Sequence, residues 1–208
     1  MEVQYFGANC VRLTTKKAVI VVDDNLADLG QKSVAKSGDI ALFTGPHGTP
    51  AAEVKLMFDQ PGEYEASDIS IQGIPARSHL DEPGMHTATM FKIAGEDVRV
   101  GVLGHIYPDL NDDQLEALGM VDVLLVPVGG SGFTLDSIGA LKLIKKIEPK
   151  IVIPTHYAES GLNFPVPQQS LEEALKGLAM ETRETAAKLK LKPGEFTDTT
   201  QLVILEKQ

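Results

Sequence analysis

Three histidines stand directly after apolar segments. His47 lies in Leu42-Phe-Thr-Gly-Pro-His-Gly-Thr-Pro50, His79 in Ile74-Pro-Ala-Arg-Ser-His79 and His156 in Ile151-Val-Ile-Pro-Thr-His156. Each apolar run reads as a strand, and loops at strand ends are where a rigid scaffold presents functional groups. Three imidazoles leaving three strand ends could converge on one metal with an open fourth position. No pair shows the tight spacing of a known zinc motif. The plainer alternative is a set of loop histidines, each solvated or hydrogen-bonded locally; His86 and His105 complete the five in the chain.

A second feature is the turn Gly129-Gly-Ser-Gly132, between an apolar run and a helical pattern. Strand, glycine turn and helix N-terminus together offer free backbone N–H groups to an anion. Gly129, Gly130, Ser131 and Gly132 are therefore candidate anion-binding residues, with a merely permissive turn as the alternative. No Gly-Lys-Ser/Thr follows and the third glycine of a dinucleotide fingerprint is missing, so nucleotide-binding loops do not match. Glu63 and Glu65 in Gln60-Pro-Gly-Glu-Tyr-Glu65 are carboxylates available as ligands or a base, or simply a solvated turn between two strands. Cys10 has no cationic neighbour in sequence to activate it and reads as a small buried thiol.

The elements that must position these groups are legible from punctuation and period. Strands are expected at Val3 to Phe6, Val11 to Thr14, Ala18 to Val22, Ile40 to Phe43, Val54 to Phe58, Ile69 to Ile74, Thr87 to Ile93 and Val98 to Leu103. The second half mixes apolar strands at Asp122 to Val126, Ile151 to Ile153 and Leu202 to Leu205 with helices. Asn111-Asp-Asp-Gln114 and Ser170-Leu-Glu-Glu173 are capping boxes that open two of them. Leu135, Ile138, Leu141 and Ile144 recur at helical spacing between Thr134 and Ile147. Glu172, Glu173, Glu181, Arg183 and Glu184 read as the solvated face of helices. The pattern predicts the α/β class: two packed sheets with helices outside, in one domain over 1–208.

Composition narrows the function. Apolar residues make up 43% of the 208, enough for a core without disulfides, and the single cysteine forbids an internal one. Nineteen basic against twenty-nine acidic residues give a formal charge of −10, which repels phosphate backbones, so nucleic acid is not an expected partner. No apolar run approaches a membrane span and MEVQYFGANC lacks a signal-peptide pattern, so a cytoplasmic protein with no membrane partner is expected. Absence of Trp, with aromatics at 5%, argues against an aromatic sugar or base platform.

Several segments together resemble one family. They are Tyr5-Phe-Gly-Ala-Asn-Cys-Val-Arg-Leu13, Ile20-Val-Val-Asp23, Pro61-Gly-Glu-Tyr-Glu65, Leu115-Glu-Ala-Leu-Gly119, Val121-Asp-Val-Leu-Leu-Val-Pro-Val-Gly-Gly130 and Ile147-Glu-Pro-Lys-Ile-Val-Ile-Pro-Thr-His-Tyr157. In that order they resemble the metallo-β-lactamase superfamily, nearest the small branch related to ascorbate-6-phosphate lactonase. The resemblance implies an αββα sandwich of two mixed β-sheets with the active site along one edge. It also implies a metal-activated water in active members. The family's Thr-His-x-His-x-Asp-His falls on Thr44 to Pro50, where only the second histidine, His47, is kept. Further family histidines correspond to His79 and His156, the bridging aspartate falls on Val102, and Asp23 matches the aspartate that supports the metal loop.

The resemblance therefore carries a degenerate metal motif. Two neighbouring metals need anionic ligands and a bridge to offset their repulsion, and Val102 cannot bridge. The expected protein is hydrolase-like, without standard dinuclear catalysis and without a cofactor. It would be repurposed for small-molecule binding or assembly, and the resemblance implies a homo-oligomer. The alternative is an active hydrolase of a small ester, lactone or phosphorylated compound. It would use zinc or manganese on His47, His79 and His156. No residue is assigned as catalytic.

Overall fold

Glu2–Gly7 alternates half-buried and buried residues, the period-2 mark of a strand with one face on a core. The computed structural model describes residues 1–45, 48–50 and 52–208. In chain order the strands are β1 (Glu2–Gly7), β2 (Cys10–Thr14), β3 (Val19–Val22), β4 (Ile40–Leu42), β5 (Leu56–Phe58), β6 (Gly62–Ala66), β7 (Ile69–Ala76), β8 (Ala88–Gly95) and β9 (Val98–Val102). The second half continues α1 (Asp112–Leu118), β10 (Val123–Pro127), α2 (Ser137–Ile147), β11 (Ile151–Thr155), α3 (Leu171–Leu178), β12 (Thr182–Ala186), β13 (Leu189–Lys190) and β14 (Gln201–Leu205).

These strands form two mixed sheets. One has six strands in the order β13-β1-β2-β3-β4-β5, the other eight in the order β12-β14-β11-β10-β9-β8-β7-β6. Val3, Tyr5, Leu13 and Ile20 of the first sheet share one apolar cluster with Ile71, Phe91, Val100 and Leu125 of the second. Every residue of β10 and β11 is buried, as parallel strands covered on both faces require. The two packed mixed sheets of the α/β class expected from the sequence are thus observed, with helices outside one sheet where the resemblance implied them outside both.

The helices cover the second sheet, α1 against β7 and α2 against β10 and α3. The outward face of the first sheet is covered differently. Cys10 and Val21 pack there beneath Leu26, Ala35 and Leu162, which belong to irregular segments. Asp24 holds that cover in place, accepting from the backbone N–H groups of Val34 and Ala35 at 2.9 and 2.7 Å. No helix among the described residues is long and apolar enough to cross a membrane.

Local expectations meet several corrections. Gly62–Ala66 is strand β6, paired in register with β7, where the sequence suggested only a turn. Its exposed Glu63 and Glu65 alternate with the half-buried Tyr64, whose ring stacks on Phe58 at 4.0 Å. Thr182–Ala186 is strand β12 rather than a helical face, because it pairs with β14. The helical stripe is also shifted: α2 starts after the N-cap Asp136, buries Ala140, Leu143 and Ile144, and leaves Ile138 74% exposed. Both capping boxes form as expected, at Asn111 and at Ser170.

Candidate functional site

β3 ends at Val22, and the next residue, Asp23, adopts φ 46°, turning its carboxylate back across the sheet edge. There it accepts from the N–H of Thr44 at 2.7 Å and from the Thr44 hydroxyl at 2.5 Å. Thr44 follows β4, so this pair ties two strand ends together. Burial pushes the Asp23 carboxyl up to about 6, partly offset by the Thr44 hydrogen bonds.

Thr44 has a second partner. Its Oγ1 lies 3.1 Å from Nδ1 of His105, three residues past the end of β9. Because the hydroxyl proton is given to Asp23, Thr44 Oγ1 accepts from His105 Nδ1–H, leaving Nε2 with a lone pair. Gly104 permits this approach: its φ is 61°, and a Cβ there would collide with the Thr44 side chain. Burial, aided by neighbouring His79, pushes the His105 pKa down to about 4.

His156 directly follows β11 with φ 53°, its N–H donating to the Ala8 carbonyl at 2.7 Å. Such a left-handed non-glycine residue costs energy and is held by its surroundings. Its Nδ1 lies 3.1 Å from Gln168 Oε1, while Gln168 Nε2 donates to the Val166 carbonyl. The oxygen acceptor places the proton on Nδ1, so His156 also keeps a bare Nε2. Burial, then proximity to His105, lowers its pKa to about 3. The two rings meet edge to face with centroids 5.4 Å apart.

His79 sits in the loop between β7 and β8. Asp81 fixes that loop, accepting from the N–H groups of Ser78 and Thr87, both at 2.9 Å, and from the Thr87 hydroxyl at 2.6 Å. Although burial alone would raise the Asp81 carboxyl, these bonds hold it at about 2. The His79 ring packs edge-on against Tyr107 at 5.2 Å, and its Nε2 is buried without a hydrogen-bond partner. Burial lowers its pKa as well.

All three imidazoles line one cavity of about 450 Å³, together with Asp23, Asn9, Phe43, Phe133 and Phe164. The structure thus brings His79, His156 and Asp23 together. His47 lies outside the described residues. Among the described residues, no group of three or more His, Cys, Asp or Glu side chains is arranged to hold a metal ion.

The glycine turn plays a positioning part. Gly130 N–H donates to the Leu135 carbonyl at 3.0 Å and to Thr134 Oγ1 at 3.1 Å, and the Ser131 hydroxyl donates to the Pro167 carbonyl. Gly129 accepts from Gln169 N–H at 2.8 Å, and a Cβ on it would strike Gln168 and the His156 carbonyl. These contacts seat Gln168 against His156 and carry Phe133 to the cavity. Gly129, Gly130, Ser131 and Gly132 are not among the described lining residues. Glu63 and Glu65 do not reach it either, and Cys10 is buried, its thiol pushed up by burial and then by Asp24.

His105 and Asn9 are the site residues that sequence reasoning passed over. His105 had a usable signal: like His156, it leaves the end of an apolar strand, here through Leu103-Gly104.

Comparison with known proteins agrees with this architecture. Residues 2–156 match the family model described as Beta-lactamase superfamily domain. A UPF0173 metal-dependent hydrolase of Hyperthermus butylicus is 31% identical over 158 residues, spanning 75% of this chain but only 58% of that protein. A UPF0173 protein of Pyrococcus abyssi is 29% identical over 185 residues, covering 77% of this chain and 85% of its own length. Among solved structures, a metallo-β-lactamase superfamily protein from Thermotoga maritima superposes with a TM-score of 0.76 at 23% identity, over 99% of this chain and 98% of that one.

Proposed function

The chain belongs to the metallo-β-lactamase superfamily, and from that premise we propose that its cavity binds a small organic molecule without the two-metal centre of active members. One observation carries this reading: the buried carboxylates at the cavity are already committed. Asp23 is bonded to Thr44 and Asp81 to Ser78 and Thr87, while Asp28 is exposed at the rim. The described donors that remain are neutral imidazoles. Two cations about 4 Å apart need anionic ligands between them. At the position where the resemblance puts the bridging aspartate, Val102 is 3% exposed in the apolar core and paired with Phe91 and Leu125. The described residues therefore do not fit a dinuclear centre, and the motif is degenerate in this reading.

The protein is then hydrolase-like in fold and a binding protein in action. The same reading takes 1–208 as one domain, placed in the cytoplasm. It assembles as a homo-oligomer and has neither nucleic acid nor membrane as a partner. Branch membership beside ascorbate-6-phosphate lactonase rests on the segments quoted above.

A second reading has its own support. The His79 Nε2 is buried, unpartnered and in the same cavity as His156, as a ligand awaiting a metal would be. Relatives bearing the name metal-dependent hydrolase point the same way. Zinc or manganese on His47, His79 and His156 would then serve hydrolysis of a small ester, lactone or phosphorylated compound.

Elemental analysis of protein purified without affinity metal or chelator separates the two. The first reading expects less than ~0.2 equivalents of zinc, manganese or iron and a Tm unmoved by chelator. Stoichiometric metal that survives dialysis and is lost in His47→Ala would establish the second.

A further inference from the structure

Two of the residues that line the cavity each carry a buried polar atom that the protein leaves without a partner. One is His79 Nε2. The other is Nδ2 of Asn9, a residue 5% exposed in the turn between β1 and β2. Asn9 Oδ1 accepts from the Thr155 hydroxyl at 2.9 Å, which orients the carboxamide and leaves its NH2 without an acceptor. Folding does not leave a buried amide N–H unsatisfied cheaply, so such a group in a cavity wall marks where a ligand supplies the missing partner. The same cavity is lined by imidazoles whose Nε2 atoms have the opposite character. Those of His105 and His156 are lone-pair acceptors, since each Nδ1 is the bonded N–H and neither Nε2 has a partner among the described residues.

Charge restricts the ligand further. No Lys or Arg is among the described lining residues, whereas Asp23, Asp28 and Asp81 are. A phosphate or carboxylate would enter without a counter-charge, against nearby negative charge and in a wall partly made of Phe43, Phe133 and Phe164. The glycine turn offers no remedy, as it stands away from the cavity with Gly130 N–H and the Ser131 hydroxyl already bonded.

We propose that the cavity takes an uncharged carboxamide with a cyclic or aromatic body. Its carbonyl oxygen accepts from Asn9 Nδ2, and its N–H donates to an imidazole Nε2. This specificity rests on the small-molecule reading above and excludes the phosphorylated class of ligand from it.

The probes are benzamide, benzoate and phenyl phosphate, which share a ring and differ in charge and in the donor. Each is titrated in the presence of chelator into wild-type protein and into Asn9→Asp, followed by backbone amide NMR shifts. Asn9→Asp keeps the Oδ1 acceptor for Thr155 and replaces the NH2 by oxygen. Benzamide should bind wild type at least ~10-fold more tightly than either anion, shifting the amides of the cavity wall, and Asn9→Asp should weaken it ~10-fold. Asn9→Ala, which removes the same N–H, reads the same loss if Asn9→Asp does not fold. An anion that binds wild type as tightly as benzamide, or benzamide binding that ignores both substitutions, overturns the inference while leaving a small-molecule cavity standing. Failure of benzamide to bind wild type overturns the inference, whereas the reading beneath it stands or falls separately on the metal content and chelator response of the same protein.

Discussion

His105 Nδ1 stands 3.1 Å from Thr44 Oγ1, although 61 residues separate the two along the chain. Through the Thr44 hydroxyl this contact joins the ends of β3, β4 and β9 to one imidazole. The resulting line, His105 to Thr44 to Asp23, fixes a tautomer and a ring direction that no single loop would hold.

Thr44→Val keeps the shape and removes the hydroxyl that joins Asp23 to His105. Asp23 loses one of its two Thr44 bonds and His105 loses its Nδ1 acceptor, both in a buried setting. A loss of about 1–3 kcal/mol in stability is expected from urea unfolding. Nitrogen chemical shifts of the His105 ring should move from one fixed tautomer toward a mixture. An unchanged ring signal would mean that Thr44 does not set it.

Gly104→Ala should be costlier than an ordinary loop substitution. Its Cβ would meet the Thr44 side chain, which Asp23 prevents from turning away, at a φ of 61° that alanine disfavours. Strain and overpacking together predict a loss of about 2–4 kcal/mol. Thermal unfolding measures it. In Gly104→Ala combined with Thr44→Ala part of that loss should return.

Arg99 and Asp122 give a pH dependence far from the cavity. Asp122 accepts from Arg99 N–H, Nε and Nη2 at 2.8, 2.9 and 2.8 Å. Burial would raise its carboxyl, but the Arg99 hydrogen bonds and charge outweigh this and hold it below the usual carboxylate range. A depressed acid contributes stability that is complete above the unfolded-state pKa of about 3.9 and is lost as pH falls through the folded value. Acid unfolding of Asp122→Asn should therefore show a flatter slope below about pH 4 than wild type. Superimposable slopes would show that the pair contributes nothing to acid stability.

Val102→Asp tests whether the scaffold still expects a bridging carboxylate. Val102 is 3% exposed, with Phe91 and Leu125 as strand partners, so a lone carboxylate there is desolvated and unpaired. Stability should fall by about 3–5 kcal/mol, and added zinc should not restore it. Joining Gly45→His, Thr49→Asp and Pro50→His to it would complete the ligand types of the family motif. Zinc uptake by that combination, followed by calorimetry, would show that the loop backbone keeps the family course, with Pro50 as the weak point because its φ is fixed.

The strand order could not be read from the chain, but much of the strand content could. After its leading Asp122, the run to Val126 is apolar at every position, as is Ile151 to Ile153, which only strands covered on both faces tolerate. Capping boxes at Asn111 and Ser170 are local hydrogen-bond patterns, complete within four residues, so sequence alone determined them. Gly62–Ala66 and Thr182–Ala186 are different. Their residues have weak strand character and become β6 and β12 only because β7 and β14 offer them an edge.

The same division holds at the cavity. Placing His156 at a strand end required only the apolar run before it. That Gln168 orients its ring, that His105 rather than a nearer residue faces it, and that Asn9 carries an unpartnered NH2 were decided by tertiary packing. Each depends on groups at least twelve residues apart, brought within hydrogen-bond or ring contact by two sheets sharing one core, and no local period encodes such a meeting.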